Sequence, residues 1–163
     1  MKNFSLIFIA VVLFACKTGE TTTASDTKKD KALPIIELRA GHNSGFIQAV
    51  NKVITTQEEL TEVWTVLFAN YMKKENAPEI DFEHNIVVLV AAGEKNSGGF
   101  SIAVTRALAT SSNVQLTVVS TSPGKNCVLT EAITYPFQLI QLQKTGQDVV
   151  FNASEKVIDC ESE

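Results

Sequence analysis

The sequence predicts an α+β fold: a mainly antiparallel β-sheet, as a sandwich or open barrel, with one amphipathic helix packed on it. Three observations predict it. One segment carries a helical apolar stripe behind a capping signal, several others alternate apolar and polar residues as strands do, and βαβ alternation is absent.

The helix is the clearest element. Thr56-Gln57-Glu58-Glu59 matches a capping box, in which the Thr hydroxyl accepts from the Glu59 N–H and the Glu side chain reaches back. Leu60, Val63, Trp64, Leu67, Phe68 and Tyr71 follow at helical spacing. Lys73 and Lys74 suit the negative end of the helix dipole, and Ala77-Pro78 is the expected stop. The aromatic stripe reads as core packing.

The strands follow from period two. Asn85 to Ala92 is an unbroken apolar run, as a strand buried on both faces requires. Phe100 to Thr105 and Val114 to Val119 alternate and read as half-buried strands. Phe46 to Thr55 supplies a strand before the helix. Two last strands, over Phe137 to Leu142 and Val149 to Phe151, flank a turn at Gly146-Gln147-Asp148.

The N-terminus carries an address. Met1-Lys2-Asn3 is a short basic start, and Phe4 to Ala15 is an uncharged apolar run. That run is too short for a helix crossing a bilayer, which takes roughly 20 residues, and has the length of a signal-peptide core. Leu13-Phe14-Ala15-Cys16 closes it and looks like the lipobox cut by lipoprotein signal peptidase, so residues 1–15 are read as a signal peptide and Cys16 as the lipidated residue. Two or more acyl chains, at about 0.8 kcal/mol per buried CH₂, hold a domain stably at a membrane. Lys17 follows the cysteine, so the aspartate that some bacteria use for inner-membrane retention is absent and the outer membrane is favoured. Residues 16–32 hold no large apolar side chain and are read as a lipidated cysteine with a flexible tether, of roughly 20 Å reach. A single domain is expected over residues 33–163.

The formal net charge of −4 leaves no basic stripe, which argues against nucleic acid as a partner. Cys127 and Cys160 are the two cysteines left after lipidation. An even pair in an exported chain reads as a disulfide. No C-x-x-C spacing suggests a redox-active pair.

Two glycine loops echo each other. Gly41-His42-Asn43-Ser44-Gly45-Phe46 and Gly93-Glu94-Lys95-Asn96-Ser97-Gly98-Gly99-Phe100 both carry Asn-Ser-Gly and end on Phe. One reading is two hairpin-type turns. The other is that they cluster at one end of the sheet as a contact surface formed by Asn43, Ser44, Gly45, Phe46, Asn96, Ser97, Gly98, Gly99 and Phe100. Gly-Lys-Ser/Thr is missing, so the second is no phosphate loop. Catalytic machinery is not visible. His42 and His84 have no H-E-x-x-H or metal-ligand spacing, and no G-x-S-x-G elbow is present. No catalytic residue, metal or cofactor is therefore assigned.

Taken in order, Ser44-Gly45-Phe46, the Glu59…Trp64 helix, Ile80-Asp81-Phe82, Gly93 to Phe100, Pro123-Gly124…Cys127 and Thr134 to Ile140 resemble the C-terminal domain of the PrcB family. These are accessory subunits of bacterial surface-protease complexes. The resemblance spans about residues 41 to 151 and departs in Ser97, where Thr is common, and in Phe100 and Phe137, where Tyr is common. It implies a non-catalytic role, binding or stabilising an exported partner protein such as a protease. The second glycine loop is also similar to the Thr-Gly-Tyr loop of chagasin-type cysteine-protease inhibitors, so a protease inhibitor is one alternative. A small-molecule or glycan binder, which would need a pocket with convergent polar groups, is another.

Overall fold

A computed structural model describes residues 30–160. The signal peptide, Cys16 and the tether up to residue 29 lie outside the described residues. The strands are β1 (Lys31–Ala32), β2 (Ile36–Gly41), β3 (Ala49–Ile54), β4 (Asn85–Ala92), β5 (Ser101–Ala109), β6 (Val114–Pro123), β7 (Phe137–Gln143) and β8 (Val149–Ile158), with helix α1 (Gln57–Leu67) between β3 and β4. They form two four-stranded sheets, ordered β1-β5-β6-β8 and β2-β7-β4-β3. The pairings are antiparallel except β6 with β8, which is parallel. The result is three layers: one sheet, the other sheet, then the helix.

The apolar run of β4 explains this layering. Ile86, Val88 and Val90 join Val104, Leu116, Val118, Ile140 and Leu142 in a core between the sheets. Val87, Leu89 and Ala91 point the other way, into a second core with Leu60, Val63, Trp64, Leu67 and Phe68 of the helix side. Alternation by one residue thus sends the same strand into two cores.

Gln138 is the polar exception in this interior. It lies in β7 between Phe137 and Leu139 and is 8% exposed. Its Oε1 accepts from the backbone N–H of Val104 at 2.8 Å, and its Nε2 donates to Glu37 Oε2 at 2.6 Å. Both contacts fall at β-bulges, between Val104 and Arg106 in β5 and between Glu37 and Arg39 in β2. A bulge leaves ladder groups unpaired; the Gln138 amide takes up the Val104 N–H at one bulge and bonds the Glu37 carboxylate beside the other. Gln138→Leu keeps the volume and strands the Val104 N–H. Denaturant titration is expected to read a loss of about 1–3 kcal/mol.

Several sequence expectations are corrected. The helix ends at Leu67, well before Pro78, and Lys73 and Lys74 lie beyond it. The reason is tertiary: the N–H of Gly45 donates to the Val66 carbonyl, and Asn70 Nδ2 donates to the Ser44 carbonyl. The first glycine loop therefore caps the helix, and the chain after it folds back so that Trp64 Nε1 donates to the Glu75 carbonyl. At the N-terminus the Thr56 hydroxyl accepts from Glu59 N–H as expected, but the Glu59 carboxylate accepts from the N–H of Thr55 rather than Thr56. That bond is the main cause holding the Glu59 carboxyl below its ordinary pKa. The strand before the helix starts at Ala49, not Phe46. Strands β1 and β2 were not expected, and β1 begins two residues before the expected domain start at 33. The last two strands flank the Gly146 turn but do not pair: β7 belongs to one sheet and β8 to the other. Gly146, at φ +72°, carries the chain across.

Candidate functional site

The two glycine loops lie at the same end of the fold. Neither is a hairpin turn. The first runs from β2 to β3, opposite edges of one sheet, and the second crosses from β4 in that sheet to β5 in the other. Between them passes the segment joining β6 to β7, and both loops grip it.

The first loop holds Tyr135. The Tyr135 N–H donates to the His42 carbonyl at 2.7 Å, and the Tyr135 carbonyl accepts from both the N–H and the hydroxyl of Ser44 at 3.1 Å. Ser44 is fully buried. Gly45 approaches the helix so closely that a Cβ there would overlap the Val66 carbonyl oxygen, which is why this position takes no side chain. Asn43 is exposed and Phe46 half-buried, packed against the helix-side core.

The second loop holds the preceding residues. Lys95 and Thr134 exchange backbone hydrogen bonds at 2.8 and 2.9 Å, the Thr134 hydroxyl donates to the Ser97 carbonyl at 2.8 Å, and the Gly98 N–H donates to the Thr130 carbonyl at 3.1 Å. A Cβ on Gly98 would overlap Thr130 Oγ1, and Gly99, at φ +86°, is packed against Leu129 and Pro123. Asn96 is exposed, and Ser97 and Phe100 are half-buried, with Lys95 Nζ 5.8 Å above the Phe100 ring centroid. The Tyr135 hydroxyl donates to Glu94 Oε2 at 3.0 Å, and that carboxylate raises the phenol's pKa above its ordinary value.

Of the loop residues picked out in the sequence, Ser44, Gly45 and Gly98 thus pack against the fold, while Gly99 is itself exposed. Asn43 and Asn96 face solvent. Exposed apolar side chains at this end lie on the gripped segment, which the motifs did not single out, and at Ile47 just after the first loop. Val128 is 100% exposed, Ile133 59% and Leu129 37%. Val128 and Leu129 line an open groove of about 350 Å³ with Gly99, Pro123, Thr130, Ile158 and the disulfide. The signal available was three large aliphatic residues, Val128, Leu129 and Ile133, between Pro123-Gly124 and Pro136 with neither strand nor helix period.

Cys127 and Cys160 form the disulfide expected of them, with Cα atoms 4.9 Å apart. It closes one end of the groove and ties the end of β8 to the same segment. His84 lies far off, before the start of β4, where its Nδ1 is 2.8 Å from Asp81 Oδ2. This contact is the largest cause of a lowered Asp81 pKa. Asp81, Glu83 and His84 are all exposed, and their mutual bonds are those of a surface turn. Among the described residues no buried pair of titratable groups suggests a reaction centre.

The comparisons with known proteins bear on this end of the fold. Residues 86–143 match the sequence model of the PrcB C-terminal family. The matched stretch runs through β4, the second glycine loop, β5, β6, the gripped segment and β7. The PrcB C-terminal match bears out the resemblance drawn from the motifs and fits an accessory role in a protease complex. Neither curated proteins nor solved structures give a match.

Proposed function

We propose that this chain is a membrane-anchored, non-catalytic accessory lipoprotein, tethered through Cys16 at the outer membrane, that binds or stabilises an exported partner protein, in the first instance a protease. Its contact surface is the end where both glycine loops grip the segment from Cys127 to Tyr135. The observation that carries this reading is the exposure of Val128, Leu129 and Ile133 on a segment whose backbone is bonded to the second loop at Thr130 and Thr134 and to the first at Tyr135. Apolar side chains kept rigidly in water cost little ordering entropy on binding and mark contact sites.

The domain behind this surface is the PrcB-like unit expected from residue 33 onward. The inhibitor reading has less support, because a plugging loop needs a free tip and the second loop is bonded to Thr130 through the Gly98 N–H and to Thr134 through Lys95 and Ser97. The open groove also lacks the convergent polar groups a small ligand needs.

The test is mild cross-linking in the native membrane followed by pull-down of the tagged full chain, repeated with Val128→Asp and Ile133→Asp. These side chains are exposed, so the fold should survive both changes, which circular dichroism checks. One exported protein recovered with the unaltered chain and lost with either variant supports the reading. The same recovery from all three chains would remove the surface from it.

A further inference from the structure

The edge of a β-sheet presents unpaired N–H and C=O groups, and proteins blunt such edges by shortening or bulging them. Three of the four sheet edges here are short or broken. Strand β1 has two residues and the stretch of β5 it leaves uncovered is bulged at Thr105, β2 is interrupted by a bulge at Leu38, and β3 has six residues with Lys52 among them. Strand β8 is different. It pairs with β6 over ten consecutive residues without a register shift, and among the described residues no strand pairs with its other edge.

The sequence of β8 is self-complementary about Ser154. Val150 and Phe151 stand before it, Val157 and Ile158 after it, and the polar residues Asn152, Glu155 and Lys156 lie between. Val150, Val157 and Ile158 are 41%, 61% and 48% exposed. Residues 151 and 157 share one face of the strand, and 150 and 158 the other.

A two-fold antiparallel pair must place some residue opposite its own copy. Centred on Ser154, the pairing sets Val150 against Ile158, Phe151 against Val157 and Lys156 against Asn152. Centred on Ala153, it would set Val150 against Lys156 and Phe151 against Glu155. Centred on Glu155, it would set two carboxylates face to face, which is unfavourable. We infer that the free edge of β8 pairs with β8 of a second copy of this chain, antiparallel and in the register centred on Ser154. The interface is isologous and closes after two copies. Antiparallel pairing puts the two glycine-loop grooves, each beside its own Ile158, at opposite ends of the joined strands. Both remain open to a partner.

The register makes the test specific. Directly opposed residues of an antiparallel pair have Cα atoms about 4.5–5.5 Å apart, within disulfide reach. Ser154 is exposed. Ser154→Cys in the full chain, oxidised in its native membrane and run without reductant, is expected to give a covalent dimer. Asn152→Cys or Lys156→Cys alone is expected to give several-fold less, and the two co-expressed are expected to restore it. Adding Val157→Lys to Ser154→Cys is expected to lower the yield several-fold. Equal cross-linking at all three positions, no cross-link at 154, or a cross-link from 154 to a different protein would each overturn the inference.

Discussion

Replacing Cys127 and Cys160 together by serine is expected to lower the unfolding free energy by about 3–4 kcal/mol, from the loop-closure entropy of a cross-link spanning 33 residues. Denaturant titration of the two chains measures it. The loss should also have a place. Residues 152–160 are all exposed, so burial adds little to hold the end of β8. It is kept by its ladder to β6, by the Gly124 N–H donating to the Ile158 carbonyl at 2.8 Å, and by the disulfide. Hydrogen exchange should therefore lose protection first at residues 120–122 and 155–158, while β4 and β7 keep theirs. A much smaller loss with early fraying at those residues would mean that the cross-link stabilises one strand end and not the whole domain.

Leu89→Ala is expected to cost about 2–5 kcal/mol in the same titration. Leu89 is fully buried in the middle of β4 and faces the helix. Truncation leaves a cavity between two layers that the sheet ladders on either side prevent from collapsing. The two-core arrangement adds a second expectation. Leu89→Ala and Leu116→Ala lie in separate clusters, so their costs should add to within about 0.5 kcal/mol. Leu89→Ala and Leu60→Ala share one cluster and should not. Strong coupling between Leu89 and Leu116 would mean that β4 transmits strain through its backbone and that the two cores act as one.

Much of this architecture is legible from residue patterns because its causes are local or periodic. The run from Asn85 to Ala92 announces a strand buried on both faces, since no polar residue interrupts either parity. Thr56 to Glu59 announces the helix start through side chains that reach only three or four residues. The loop glycines could be seen in the sequence, but their purpose could not. Gly45 is required because Val66 lies against it, and Gly98 because Thr130 does. Both neighbours are distant in the chain. For the same reason the exposure of Val128, Leu129 and Ile133, on the segment these loops hold, leaves no periodic mark in the sequence.

The amino-acid sequence by itself determined the class of the fold, the existence and face of the helix, the doubly buried central strand and the pair of cysteines left to bond. Each depends on side-chain type and spacing within a few residues. Tertiary structure decided where the helix stops, because the Val66 carbonyl accepts from the N–H of Gly45 as well as from that of Ala69. It decided that β7 and β8 part into different sheets, because the Asn152 to Ile158 stretch is stabilised by its ladder to β6 and not by burial. It also decided that Gln138 takes up the Val104 N–H left by the bulge in β5. Hydrogen bonds between strands far apart in the chain leave no periodic trace in either partner, so such pairings become visible only when the chain is folded.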